Sequence, residues 1–89
     1  MKIDSNWFVY MIETCCGKLY TGITTDVERR FKEHCDVFSI GASKGAKFFR
    51  GKEPKCIVYR ESCESRSDAS KREYSIKKMT VLKKRQLLR

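Results

Sequence analysis

The run Trp7-Phe8-Val9-Tyr10-Met11-Ile12 constrains the fold of this chain more than any other stretch. Six apolar residues in succession leave no wet face, so they read as a strand buried on both sides and covered by other elements. The chain has 89 residues, enough for one small domain with a modest interior. No internal repeat, low-complexity tract or linker divides it, so residues 1–89 are taken as a single domain.

The neighbouring segments supply the covering elements. Cys15-Cys16-Gly17-Lys18 is a short glycine-containing connection, and Leu19-Tyr20-Thr21-Gly22-Ile23 follows as a second strand, giving an antiparallel hairpin. Alternation puts Leu19, Thr21 and Ile23 on one face and Tyr20, Gly22 and Thr24 on the other. Tyr20 therefore lies on a face with no other large side chain, beside a glycine that leaves it room. Thr25-Asp26-Val27-Glu28 fits a capping box. The helix after it is expected to turn Val27, Phe31, Cys35 and Phe38 inward, with Arg30 and His34 one turn apart on the edge of that stripe.

Residues 36–52 are irregular and hold three of the five glycines; a short helix is expected around Ser43 to Phe49. Here Lys44, Lys47, Arg50 and Lys52 interleave with Phe48 and Phe49, a basic and aromatic mixture suited to phosphate contact. Cys56-Ile57-Val58-Tyr59 reads as a third strand. Ser65 to Asp68 offers a capping box for a helix running to about Met79, and Thr80 caps a last short basic helix. In the long helix Ala69, Ile76 and Thr80 mark the inward stripe, and Glu73 lies within it. A carboxylate there needs a cationic partner or a metal.

Composition separates the function classes. Twenty Lys and Arg stand against eleven Asp and Glu, a net charge of +9. So positive a field on so small a body favours polyanions, nucleic acid first. Residues 66–89 carry nine Lys and Arg, Lys77 among them, against two acids. That surface suits salt-sensitive contact with phosphate backbones without base reading. No segment approaches the ~20 apolar residues of a membrane-spanning helix. The N-terminal segment, with Asp4 and only six apolar residues in a row, does not read as a signal peptide. Five cysteines without a C-x-x-C pair read as free thiols of a cytoplasmic protein, not as a zinc site or disulfide framework.

Tyr10, Tyr20, Arg30, His34 and Glu73, in that order, resemble the constellation of the GIY-YIG nuclease superfamily, and the chain is similar to its small stand-alone YhbQ-like group. Phe8-Val9-Tyr10 stands where the family has G-I-Y, and Tyr20-Thr21-Gly22 where it has Y-I-G. Asp26-Val27-Glu28-Arg29-Arg30 resembles the opening of the family's helix and places its arginine at Arg30. His34 falls one turn later, where relatives carry His or Tyr. KGAKFFRGKEP, IVYRE and ASKREYSIKKMT match the stand-alone group in order and spacing, so the likeness spans about Trp7 to Leu88. Two departures stand out: Phe8 replaces the first glycine, and the Asn that many relatives carry late in the domain is missing, Asn6 being the only asparagine.

The resemblance implies an α/β (α+β) domain with a three-stranded, mainly antiparallel sheet, its first strand central, flanked by helices in the order β-β-α-(α)-β-α. The core is expected over about residues 7–80, with a short basic C-terminal helix over 81–89. The implied activity is hydrolysis of DNA phosphodiester bonds with Mg²⁺, for which Mn²⁺ may substitute, and with no organic cofactor. Glu73 would hold the metal and Arg30 would offset transition-state charge. Tyr10 or Tyr20 would orient or deprotonate the attacking water, and His34 would hold a tyrosine hydroxyl or the phosphate. A tyrosine acting as base needs its pKa of about 10 lowered, which a cationic pocket would do. Lys44, Lys47, Arg50, Lys52 and Lys77 would contact DNA. The leading expectation is an endonuclease of low sequence specificity, selective for DNA structure, in repair or recombination. The alternatives are a non-catalytic DNA-binding module that keeps the fold, and an adaptor for a protein partner.

Overall fold

The computed structural model describes residues 6–41 and 47–88. Its elements are β1 (Trp7–Thr14), β2 (Leu19–Thr24), α1 (Val27–Ile40), a 3₁₀ turn (Lys47–Phe49), β3 (Pro54–Cys63), α2 (Arg66–Lys77) and α3 (Val81–Gln86). The sheet has the order β2-β1-β3 and both pairings are antiparallel. The two-sided apolar strand is thus central, and Val9, Tyr10, Met11 and Ile12 are all fully buried. Alternation sends their side chains to two separate clusters. Tyr10 and Ile12 pack with Val27, Val37 and Phe49 on the α1 side, and Val9 and Met11 with Ala69 and Ile76 on the α2 side. Each large side chain so buried contributes about 1.5–3 kcal/mol.

The hairpin closes on Gly17 at φ 84°, a left-handed conformation that glycine adopts without strain. Thr14 Oγ1 accepts from the Lys18 amide at 3.0 Å. At the far end, Arg85 of α3 reaches back, donating to Glu13 at 3.1 Å and to the Gly17 carbonyl at 2.8 Å.

α1 starts one residue later than the capping pattern implied. Asp26 is the N-cap and accepts from the Arg29 amide at 3.0 Å, while Thr24 Oγ1 accepts from the Asp26 amide at 3.1 Å. Thr25 is not the cap, and Glu28 pairs instead with Arg60 at 2.6 Å. The inward stripe is rotated too. Val27, His34 and Val37 are buried, whereas Phe38 is 42% exposed and Phe31 and Cys35 lie half-buried. A stripe built from apolar residues alone skipped the histidine, which belongs inside because it has a hydrogen-bond partner there.

β3 runs from Pro54 to Cys63, well beyond the apolar Cys56–Tyr59. Its second half, Arg60-Glu61-Ser62, alternates out to solvent on a sheet edge, yet pairs with Tyr10, Val9 and Phe8. Pro54 sits at the first position of this edge strand, where its missing N–H costs no ladder bond. α2 is capped by Ser65 and α3 by Thr80, each accepting from the amide three residues on. Thr80 is therefore an exposed cap and not part of the buried stripe of α2. Of the helix expected over Ser43 to Phe49, residues 42–46 lie outside the described residues; the remainder is the 3₁₀ turn.

Candidate active site

The β1–β2 register sets Tyr10 directly opposite Gly22. With no side chain at position 22, the phenol of Tyr10 lies across the neighbouring strand. A Cβ there would stand 2.6 Å from the Tyr10 hydroxyl, 2.8 Å from its Cζ and 3.0 Å from Tyr20 Cε2. The glycine is a steric requirement of the two tyrosines. Their ring centroids are 6.2 Å apart.

α1 brings the imidazole to the same place. His34 is fully buried and its Nε2 lies 2.8 Å from the Tyr10 hydroxyl. Its ring is 5.1 Å from Tyr20 and 4.5 Å from Phe49, which packs over it from the 3₁₀ turn. Burial, with Arg30's charge adding to it, lowers the His34 pKa to about 4, so the ring is neutral at physiological pH. The Arg30 guanidinium lies beside the Tyr10 hydroxyl, and its charge acts on the phenol. The Tyr10–His34 bond can run either way: the phenol donates to Nε2 in one imidazole tautomer and accepts from it in the other. Arg30 is fixed further by Glu33 at 2.7 Å.

The phenols do not behave as a cationic pocket would make them. Burial raises the pKa of both Tyr10 and Tyr20, and although Arg30 pulls in the other direction it does not prevail. The expected lowering is thus reversed: desolvation outweighs the guanidinium, and Tyr10 keeps its proton.

Glu73 comes from α2. Its carboxylate is half-buried and pairs with Lys77 at 3.1 Å, the cationic partner that its position demanded. Its charge acts on both phenols, and Lys77's acts on Tyr20, so the two join the same electrostatic neighbourhood. Among the described residues no group of three or more His, Cys, Asp or Glu is arranged to hold a metal. A magnesium ion does not need one: it binds through one or two carboxylates, keeping several waters and substrate phosphate oxygens. A single partly exposed glutamate fits that donor set. The five cysteines are free thiols.

The structure therefore brings Tyr10, Tyr20, Arg30 and His34 into contact and sets Glu73 within electrostatic reach. The basic residues are more scattered. Lys47 and Arg50 are exposed at the 3₁₀ turn, Lys52 lies 5.0 Å from the Phe48 ring, and Lys77 is the ion-pair partner of Glu73; Lys44 falls outside the described residues. Two features had no sequence signal of their own. Phe49 closes the site over His34, and a cleft of about 270 Å³ adjoins it, lined by Trp7, Ile23 and Thr24 and by Arg29, Arg30 and Arg66.

Known proteins resemble this chain over most of its length. The model of the GIY-YIG catalytic domain matches residues 6–86. A UPF0213 protein of Desulfotalea psychrophila is 47% identical over 93% of this chain and 71% of its own length. The UPF0213 protein YhbQ of Escherichia coli is 44% identical over 92% of this chain and 76% of its own. The solution NMR structure of a UPF0213 protein from Bacillus halodurans superposes with a TM-score of 0.56 at 40% identity, covering 93% of this chain and 82% of that one. With the motif tyrosines, the helix arginine and the histidine gathered on one hairpin and one helix, this chain belongs to the GIY-YIG nuclease-domain family and, within it, to the UPF0213 group that includes YhbQ.

Proposed function

We propose that this protein is a metal-dependent endonuclease that hydrolyses DNA phosphodiester bonds with low sequence specificity. It would select substrates by structure, as repair or recombination requires. The observation that carries this reading is the buried bond between Tyr10 and a neutral His34, with the charge of Arg30 acting on the same phenol.

That arrangement suits phosphodiester hydrolysis. Water attacking phosphorus must lose a proton. In the imidazole tautomer whose Nε2 accepts from the phenol, the pair is a relay: the oxygen of Tyr10 takes the proton from water as its own passes to His34 Nε2. The high phenol pKa is no obstacle, because tyrosinate need not accumulate. Arg30, permanently charged and able to bond two phosphate oxygens, offsets the charge that grows on the phosphoryl group. Tyr20 is placed to orient the phosphate beside it. Glu73 would hold Mg²⁺ or Mn²⁺, which when bound supplies Lewis-acid stabilisation of the leaving 3′ oxygen.

The test is cleavage of a panel of labelled DNAs (linear duplex, single strand, flap, four-way junction) with Mg²⁺ or Mn²⁺, by the wild type and Glu73→Ala. Metal-dependent cleavage that disappears in the variant while DNA binding persists is the expected result. The Glu73–Lys77 ion pair favours one alternative, a DNA-binding module without turnover, since that carboxylate already has a partner. Salt-sensitive binding with no cleavage of any substrate would establish it instead.

A further inference from the structure

The cleft beside the catalytic residues sits at the corner where β2 ends and β1 begins, between the first turns of α1 and α2. Arg30 belongs to both places: it lines the cleft and also reaches the Tyr10 hydroxyl. A ligand held there would lie beside Arg30, the residue that the nuclease reading sets on the reacting phosphate. Trp7 and Ile23 contribute apolar side chains to it, and Thr24, Thr25, Arg29, Arg30 and Arg66 polar ones, with Glu33 held to Arg30 at 2.7 Å. The guanidinium of Arg66 lies 5.6 Å from the centre of the indole ring of Trp7, which holds its planar group in place by cation–π attraction.

The volume, about 270 Å³, lies just below the range of about 300–1,000 Å³ typical of drug-sized pockets. It suits one nucleotide, not a duplex. A guanidinium held flat over an indole offers a stacking surface only to a base whose face is free, since in a duplex both faces are covered by neighbouring pairs. Arginines at the rim serve the phosphates on either side of that base.

Building on the nuclease reading, we propose that this cleft is a subsite for one unpaired nucleotide adjacent to the scissile phosphate, its base stacked on the Arg66–Trp7 pair. DNA carrying a single-stranded or frayed nucleotide at the cut is then the preferred substrate class, and Arg66 is the residue that determines it.

Trp7 is the only tryptophan in the chain and lines this cleft while also packing against the α2-side core, so its emission serves as the reporter. The experiment titrates the full chain in EDTA with an oligothymidylate of eight nucleotides and with a blunt duplex, following Trp7 emission together with anisotropy of labelled DNA. Gels confirm that the DNA stays intact, so the result does not depend on cleavage and stands apart from the test of the nuclease reading. Expected are saturable quenching of Trp7 by the single strand but not by the duplex, and a roughly tenfold loss of single-strand affinity in Arg66→Ala, with duplex affinity within twofold. Arg66→Lys, which keeps the charge but not the plane, should recover only a minor part of the loss. Single-strand binding that leaves Trp7 emission unchanged would overturn the proposal. So would equal weakening of both DNAs in Arg66→Ala, or full recovery by lysine, since either reduces Arg66 to a general positive charge. Arg66 is exposed, and the Trp7 measurement on the wild type decides the matter even if its variants fold poorly.

Discussion

At the scale of single residues, the site rests on one missing side chain and one buried imidazole. Gly22→Ala would force a Cβ to within 2.6 Å of the Tyr10 hydroxyl. Because that hydroxyl is confined on its other side by His34, the strain has no easy outlet. The variant should lose about 1–3 kcal/mol of stability, as overpacked sites do, measurable by thermal unfolding, and lose cleavage as the phenol shifts. His34 makes a pH prediction. Its folded pKa of about 4 lies below the ordinary value of about 6.5, so as pH falls the unfolded chain takes up a proton that the folded chain refuses. Stability from this residue is complete above about pH 6.5 and declines toward about pH 4, by an amount on the order of 2–3 kcal/mol. Urea titrations across that window should show the decline in wild type and its disappearance in His34→Gln. Strand alternation set Tyr20 beside Gly22 and helical spacing set Arg30 beside His34, while only the family resemblance joined Tyr10 to them. The same spacing misplaced His34 at the rim, because burial of a polar ring depends on a partner 24 residues away that periodicity does not see.

At the scale of elements, the hairpin, α2 and α3 were legible because their signals are local: a glycine turn, and Ser65 and Thr80 before helical runs. The start of α1 was read one residue early, because the capping-box pattern put the cap at Thr25 and the neighbouring Asp26 caps equally well. The backbone chose Asp26, leaving Thr24 Oγ1 to accept from the Asp26 amide. Asp26→Ala should therefore cost about 1 kcal/mol in denaturant unfolding, and Thr25→Ala, an exposed side chain without that bond, less than about 0.5 kcal/mol. β3 was read too short because an edge strand can be polar on its outer half. Its length is fixed by pairing with β1, a long-range cause that composition does not reveal.

For the whole molecule, the net charge of +9 favours a polyanionic partner. Backbone contacts of this type release counterions, so affinity should fall steeply and linearly on a log–log plot against salt. Replacing both Lys47 and Arg50 by Ala should weaken binding alike for all sequences and reduce that slope by about 2, one for each lost phosphate contact. The central claim is that chemistry, and not merely affinity, resides in the buried pair of Tyr10 and His34. Tyr10→Phe keeps the ring and removes only the hydroxyl. Its single-turnover cleavage rate on a flap or junction, measured well below the unfolding temperature with DNA affinity in parallel, is the most direct test. A fall of at least about 100-fold in rate, with affinity within twofold, is predicted from loss of a proton relay. A rate within threefold of wild type, or no cleavage by either protein, would contradict it.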